Sequence, residues 1–149
     1  MWVSTHVLAG LAIAAALGGP WWLVLIVVIL AHVVMDLIPH WDYTISRHPA
    51  IYGWCDFSVS LAAWLLAWFA LGMPFWMAFM GPVSGAPDWD VLIATLRGEH
   101  ARKLFPSHWD SFPHGRSERA WGIGVQAVIM AASVALVLAV RSMAGSVFG

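Results

Sequence analysis

Apolar runs follow one another along almost the whole chain, cut only by glycine and proline. Residues 2–17 end at Gly18-Gly19-Pro20, residues 21–38 at Pro39, and residues 56–71 at Gly72-Met73-Pro74. A fourth run reaches Gly85-Ala86-Pro87, and a fifth covers residues 120–140 after a polar stretch. A hydrocarbon core of about 30 Å is crossed by about 20 helical residues. Residues 120–140 meet that length. The first and fourth runs are shorter, and fit as little-tilted spans, as spans of a thinned bilayer or as re-entrant segments. Pro39 lacks an N–H and restricts the residue before it, so the second helix is expected to close near Leu37. The expected fold is all-α: one integral-membrane domain over residues 1–149, with four to five transmembrane or re-entrant helices.

Composition supports this reading. Of 149 residues, 61% are hydrophobic and 10% charged, against about 25% charged in a soluble domain. A net charge of −1 excludes an electrostatic nucleic-acid binder, which needs clustered cations. Cys55 is the single cysteine, so no intrachain disulfide forms. No Lys or Arg precedes the apolar residues 7–17, so they are read as retained structure rather than a cleaved signal. Most of the 11 tryptophans fall near segment ends, where indoles anchor at the interface.

The Gly-Gly-Pro and Gly-Met-Pro breaks read as tight turns between hairpin partners. That topology puts the N-terminus, the 40–55 loop and the 88–119 region on one face. The same face holds Arg47, Arg97, Arg102, Lys103, Arg116 and Arg119, and leaves only Arg141 for the other. The positive-inside rule then makes the polar face cytoplasmic in a multi-pass arrangement.

The few polar residues keep falling together as His and Asp. His32 and Asp36 lie four apart near the end of the second run, which stacks them on one helix face. His40 and Asp42 follow the Pro39 break; Asp88 and Asp90 close the fourth run; His108, Asp110 and His114 sit in the polar region; His6 opens the first run. An ionisable side chain inside a span costs about 2.5–3.5 kcal/mol on insertion scales, and is a functional hypothesis by default. A divalent cation stabilises imidazole nitrogen and carboxylate oxygen together, and mixed His/Asp sets suit Zn²⁺ or Mn²⁺. The local alternatives are a helix-end ion pair for His32–Asp36, turn chemistry for His40 and Asp42, and a helix cap for Asp88 and Asp90. For His108, Asp110 and His114 the alternative is a polar surface loop. His48 and His100 read as solvated. The clusters gain weight jointly, because the topology brings all of them to one face.

The segments STHVLAGLAIA, HVVMDLIPHWDY and PDWD resemble the integral-membrane metal-dependent hydrolases, a family that includes LexA-regulated inner-membrane hydrolase-like proteins. The resemblance maps the family's motif positions onto His6, Asp88, Asp90, His108 and His114. The His-x-x-x-Asp pair His32 and Asp36 is also similar to helix-borne ligands of zinc-dependent phospholipase C and S1/P1-type nucleases. Together, residues and resemblance imply an inner (plasma) membrane hydrolase. Its ligands would be His6, His32, Asp36, Asp88 and one of His108 or His114. Asp90, His40 or Asp42 would then orient an imidazole or act as general base. The expected substrate is a phosphoester-type or lipid-linked molecule. The expected partners are membrane lipids and a homo-oligomer or larger membrane complex, with Arg102, Lys103 and Arg116 steering an anionic headgroup. Two other classes compete: a non-catalytic subunit of a membrane complex, ligating a pigment or haem through intramembrane His, and a small transporter with a His32–Asp36 proton relay. The polar residues concentrate on one face, which argues against the transporter.

Overall fold

The structure is a computed structural model that describes residues 1–98, 104–105, 108–109, 113 and 115–148. His100, Arg102, Lys103, Asp110 and His114, singled out in the sequence, lie outside the described residues. All regular elements described are helical: α1 (Val3–Leu17), α2 (Trp21–Leu37), α3 (Pro49–Leu65), α4 (Phe75–Gly85), α5 (Trp89–Arg97) and α6 (Arg119–Phe148). A π-helical turn, Leu66–Ala70, extends α3, and short 3-10 turns cover Tyr43–Ile45 and Ala86–Asp88.

The breaks fall where proline and glycine place them. Gly18 takes a left-handed conformation, and its N–H donates to the Ala14 carbonyl to close α1. Pro20 then enters α2, which ends at Leu37, two residues before Pro39. Gly72, also left-handed, turns the chain between α3 and α4. Two expectations change. Helix α3 starts at Pro49 rather than near Asp56, because proline at the first helical position is preset for a helix and lacks only a hydrogen bond that is unmade there anyway. The polar region opens with a helix, α5, whose apolar side packs on α3: Leu92 and Leu96 lie against Gly53.

Helix α1 is the centre of the bundle and packs against α2, α3, α4 and α6. Its small residues let neighbours approach closely. A Cβ on Gly10 would lie 2.5 Å from Ser84 Cβ and 2.7 Å from the Met80 carbonyl oxygen, so α1 and α4 touch almost backbone to backbone. Val3, Val7 and Leu11 of α1 form one core cluster with Ala78 and Leu92, while Ala14, Val24, Val28 and Met80 form another.

The outside is as apolar as the inside. Leu23, Ile26, Leu30 and Val34 on α2, Leu61 and Phe69 after the start of α3, and Val128, Val134 and Leu138 on α6 are all exposed. Two helices, Pro49–Ala70 and Arg119–Met143, are long and apolar enough to cross a membrane; α1 and α2 are shorter apolar helices.

Candidate metal centre

The N-terminus of α1, the C-termini of α2 and α4, and the start of α6 lie at one end of the bundle. His6 sits in the first turn of α1, His32 and Asp36 in the last turns of α2, and Asp88 in the turn that follows α4. All four are buried, and one ligand atom from each lies within 4.8 Å of every other. His6 Nε2 stands 3.3 Å from Asp36 Oδ1 and 3.2 Å from Asp88 Oδ2. His32 Nε2 stands 3.1 Å from Asp36 Oδ2 and 4.0 Å from Asp88 Oδ1. His108 stands next to the group, with Nε2 2.7 Å from Asp88 Oδ1 and 3.7 Å from Asp36 Oδ2. Around one ion with ligand bonds of about 2.0–2.2 Å, tetrahedral ligand atoms stand about 3.3–3.6 Å apart. The observed separations bracket that spacing.

The protonation pattern points the same way. His32 Nδ1 lies 2.8 Å from the Ser84 carbonyl oxygen, which can only accept, so Nδ1 carries the proton. In the neutral ring Nε2 then turns a lone pair toward the Asp36 carboxylate. Two lone pairs at 3.1 Å repel unless a proton or cation lies between them. His6 and His32 stack with ring centroids 3.9 Å apart, so charging both rings sets two cations face to face. One divalent ion removes both conflicts. Among the described residues, His6 Nε2, His32 Nε2, Asp36 Oδ2 and Asp88 Oδ2 are buried without a hydrogen-bond partner. Such atoms call for an explanation, and a bound ion is one of the standard ones.

His32 is held by a backbone contact, and Asp90 is fixed behind His108. The Ser84 carbonyl is free to accept from His32 because α4 gives way to the Ala86–Asp88 turn just beyond it. Asp90 Oδ1 accepts from the Val91 N–H at 2.7 Å, and Oδ2 from the Leu104 N–H at 2.8 Å. It faces His108 Nδ1 at 3.8 Å, behind the ligand atom. Asp88 is held below the usual carboxylate range: burial pushes it up, but the N-terminal ammonium, His6 and His108 outweigh burial. His108 is held above its ordinary value. Burial lowers it, and the carboxylates of Asp88, Asp36 and Asp90 more than compensate.

His40 and Asp42 lie beside this group without joining it. His40 Nε2 is 3.2 Å from Asp42 Oδ1, and its Nδ1 donates to the Ile38 carbonyl at 2.8 Å. Asp42 stands 3.6 Å from the Met1 ammonium, which donates to Asp36 Oδ1 at 3.2 Å. Residues 115–117 strap this corner down. The Gly115 N–H donates to the Asp36 carbonyl, the His40 N–H to the Gly115 carbonyl, and the Ser117 N–H to the His40 carbonyl.

Two positioning residues escape the sequence reading. Asp56, buried on α3, accepts from the Val3 and Ser4 N–H groups at 2.9 and 2.8 Å and from the Tyr43 hydroxyl at 3.1 Å. It caps α1 from another helix, one turn before His6. A lone carboxylate opening an apolar run is the available signal. Gln126 on α6 accepts from the Trp2 N–H at 2.8 Å and donates to the Trp41 carbonyl at 3.1 Å, tying the segment before α1 to the segment after α2. Trp41 is buried beneath the Arg119 guanidinium and so is not an interface anchor.

Compared with family models, curated proteins and solved structures, the chain matches none.

Proposed function

We propose that this chain is a membrane-embedded, metal-dependent hydrolase that acts on a phosphoester-type or lipid-linked substrate at the cytoplasmic interface. The observation that carries the reading is the convergence of His6, His32, Asp36 and Asp88 from α1, α2 and the end of α4, with unpartnered nitrogen and oxygen atoms facing one point. Both carboxylates crowd the stacked imidazoles, which favours a small hard or borderline ion such as Zn²⁺ or Mn²⁺ over the flat face of a haem or pigment. A divalent ion supplies Lewis acidity and acidifies water near neutral pH. The chain's own residues do the rest. The Ser84 carbonyl fixes the His32 tautomer, Asp90 places a negative charge 3.8 Å behind His108, and Asp42 with His40 is a neighbouring carboxylate–imidazole pair for moving a proton.

The apolar exterior supports a bilayer setting, since contiguous apolar surface on this scale is rare on soluble monomers. The apolar helices α1–α4 and α6 would then lie in the membrane. The basic residues Arg47, Arg97, Arg116 and Arg119 stand at the end that holds the ligand group, while Arg141 donates to the Ala70 carbonyl at the other end. That asymmetry favours cytoplasmic polar loops.

The test is metal content by mass spectrometry on detergent-purified protein, beside His32→Ala/Asp36→Ala and His48→Ala. His48 is exposed and serves as the control. About one to two equivalents of Zn or Mn are expected in the wild type and the control, and none in the double variant. Equal metal in all three sinks the assignment.

A further inference from the structure

On the outer face of the bundle, Ile38, just past the end of α2, and the N-terminal part of α6 leave an open groove of about 500 Å³, called the α2–α6 groove below. That falls within the range of about 300–1,000 Å³ typical of small-molecule sites. Ile38 forms one wall; Trp121, Gly124, Val125, Val128 and Ile129 form the other. The α6 residues recur at helical spacing, so they make a single stripe along a helix long and apolar enough to cross a membrane. Gly124 lies in the stripe with nothing within 4 Å of where its Cβ would be, so the groove is open at that point. By contrast, Gly122 on the adjacent side of α6 is packed against the backbone at His40 and Trp41.

One buried cluster of side chains separates the groove from the ligand group. Ile38 and Ile129 pack on the cluster of Met1, Ala9 and Met35, and the Met1 ammonium contacts Asp36. Exposed Arg116 stands at this end, its backbone paired with His40 two residues beyond Ile38. An apolar slot along a span, with a cation at its polar end, matches an acyl chain with an anionic head.

We infer that the α2–α6 groove holds one acyl chain of an anionic phospholipid drawn from the surrounding bilayer, with its headgroup at Arg116 beside the metal centre. This rests on the function proposed above and names its substrate as a bilayer lipid. Polar contact is left to the headgroup, because the groove lining is aliphatic apart from the Trp121 indole.

The test uses the full chain in phosphatidylglycerol/phosphatidylcholine vesicles containing a trace of photoactivatable acyl-phosphatidylglycerol, with labelled peptides mapped by mass spectrometry. Labelling is expected to concentrate on residues 121–129 and around Ile38. Gly124→Leu fills the slot at an open position and raises helix propensity, so it retains the fold. It should cut that labelling about tenfold, the factor that matches the loss of about two buried methylenes. Val134→Leu, at an exposed α6 position outside the groove, should leave labelling unchanged. Arg116→Gln should remove the preference for photoactivatable phosphatidylglycerol over its phosphatidylcholine counterpart. Uniform labelling along exposed α6, or full labelling in Gly124→Leu, overturns the inference. Metal content measured on the same samples separates the two readings. A metal-free wild type with groove-specific labelling removes the hydrolase and keeps the lipid site, and a metal-loaded wild type with uniform labelling does the reverse.

Discussion

Asp56→Ala tests the physical account of how the ligand group is held, without reference to any ion. The carboxylate accepts three hydrogen bonds, from the Val3 and Ser4 N–H groups and the Tyr43 hydroxyl, at 2.8–3.1 Å. Val3 and Ser4 are 2% and 1% exposed, so water has little access to the freed donors. Each buried donor left unsatisfied costs about 1–3 kcal/mol, and loss of a helix cap alone costs about 0.5–2 kcal/mol. Taking the lower half of the range for three donors gives a loss of about 3–6 kcal/mol, a large share of the roughly 5–15 kcal/mol that ordinarily holds a domain. Equilibrium unfolding in mixed detergent micelles, followed by tryptophan fluorescence, measures it. The comparison is Ser58→Ala: that exposed hydroxyl donates only to the Trp54 carbonyl of its own helix, and such a change stays within about 0.5 kcal/mol. Because His6 lies one turn beyond the cap, metal affinity should fall in Asp56→Ala as well. A loss below about 1 kcal/mol would show that the carboxylate is not what satisfies these donors, and the capping argument would fail.

Two further outcomes follow from the same geometry. In Gly10→Ala the new methyl meets Ser84 Cβ at 2.5 Å and the Met80 carbonyl oxygen at 2.7 Å. Overpacking of about 1–3 kcal/mol should outweigh the gain of about 1 kcal/mol in helix propensity, so a raised melting temperature would refute the close approach of α1 and α4. The second outcome concerns pH. His108 is held above its ordinary 6.5 by the Asp88, Asp36 and Asp90 carboxylates, against the opposing effect of burial. A raised folded value stabilises the metal-free fold fully below pH 6.5, and that contribution fades as pH rises through the folded value. Metal binding runs the other way, because it expels the proton. Zinc affinity should therefore rise about tenfold per pH unit over the same window and flatten in His108→Gln. A pH-independent wild-type affinity there would remove His108 from the ligand set.

What the sequence can and cannot reveal follows from the range of each cue. Proline and glycine act locally, so the end of α2 at Leu37 and the turns at Gly18 and Gly72 are legible. The i, i+4 spacing of His32 and Asp36 is equally local, and both side chains do face one point. The start of α3 is misplaced in the sequence because residues 49–55, which carry Pro49 and Gly53, read as a continuation of the polar loop from His40, while Pro49 carries the signal that matters. Convergence of His6, Asp36 and Asp88 depends on contacts between distant helices, set by Gly10 and by Asp56, and no spacing rule reports those. His40 and Asp42 look as ligand-like as His32 and Asp36. The difference is Pro39. Beyond it the chain leaves the helix, so His40 turns to the Ile38 carbonyl and to Asp42 instead of sharing the face of Asp36.

The position of the ligand group along the helices bears on the proposed chemistry. A hydrolase acting on a membrane lipid must bring water and an acyl-bearing substrate to one ion, and those two come from opposite phases. A site at mid-depth would meet lipid and need a separate path for water. A site in a polar loop would meet water and need the lipid lifted out. Here the ligands come from the first turn of α1, the last turns of α2 and the turn after α4. The helix ends supply what such a boundary needs: a carbonyl of α4 without a helical partner fixes His32, and the N–H groups of α1 without one are taken by Asp56. On one side stand the Ala86–Asp88 turn and residues 115–117, and on the other the groove with Ile38 at its wall. The triple variant Val28→His/His32→Asp/Asp36→Val moves the imidazole–carboxylate pair one turn deeper along α2. It keeps the i, i+4 spacing but withdraws the pair from the polar end. On the proposed reading that variant loses hydrolysis along with its metal, because His6 and Asp88 stay where they are. Retained metal and activity would show that position along α2 is immaterial.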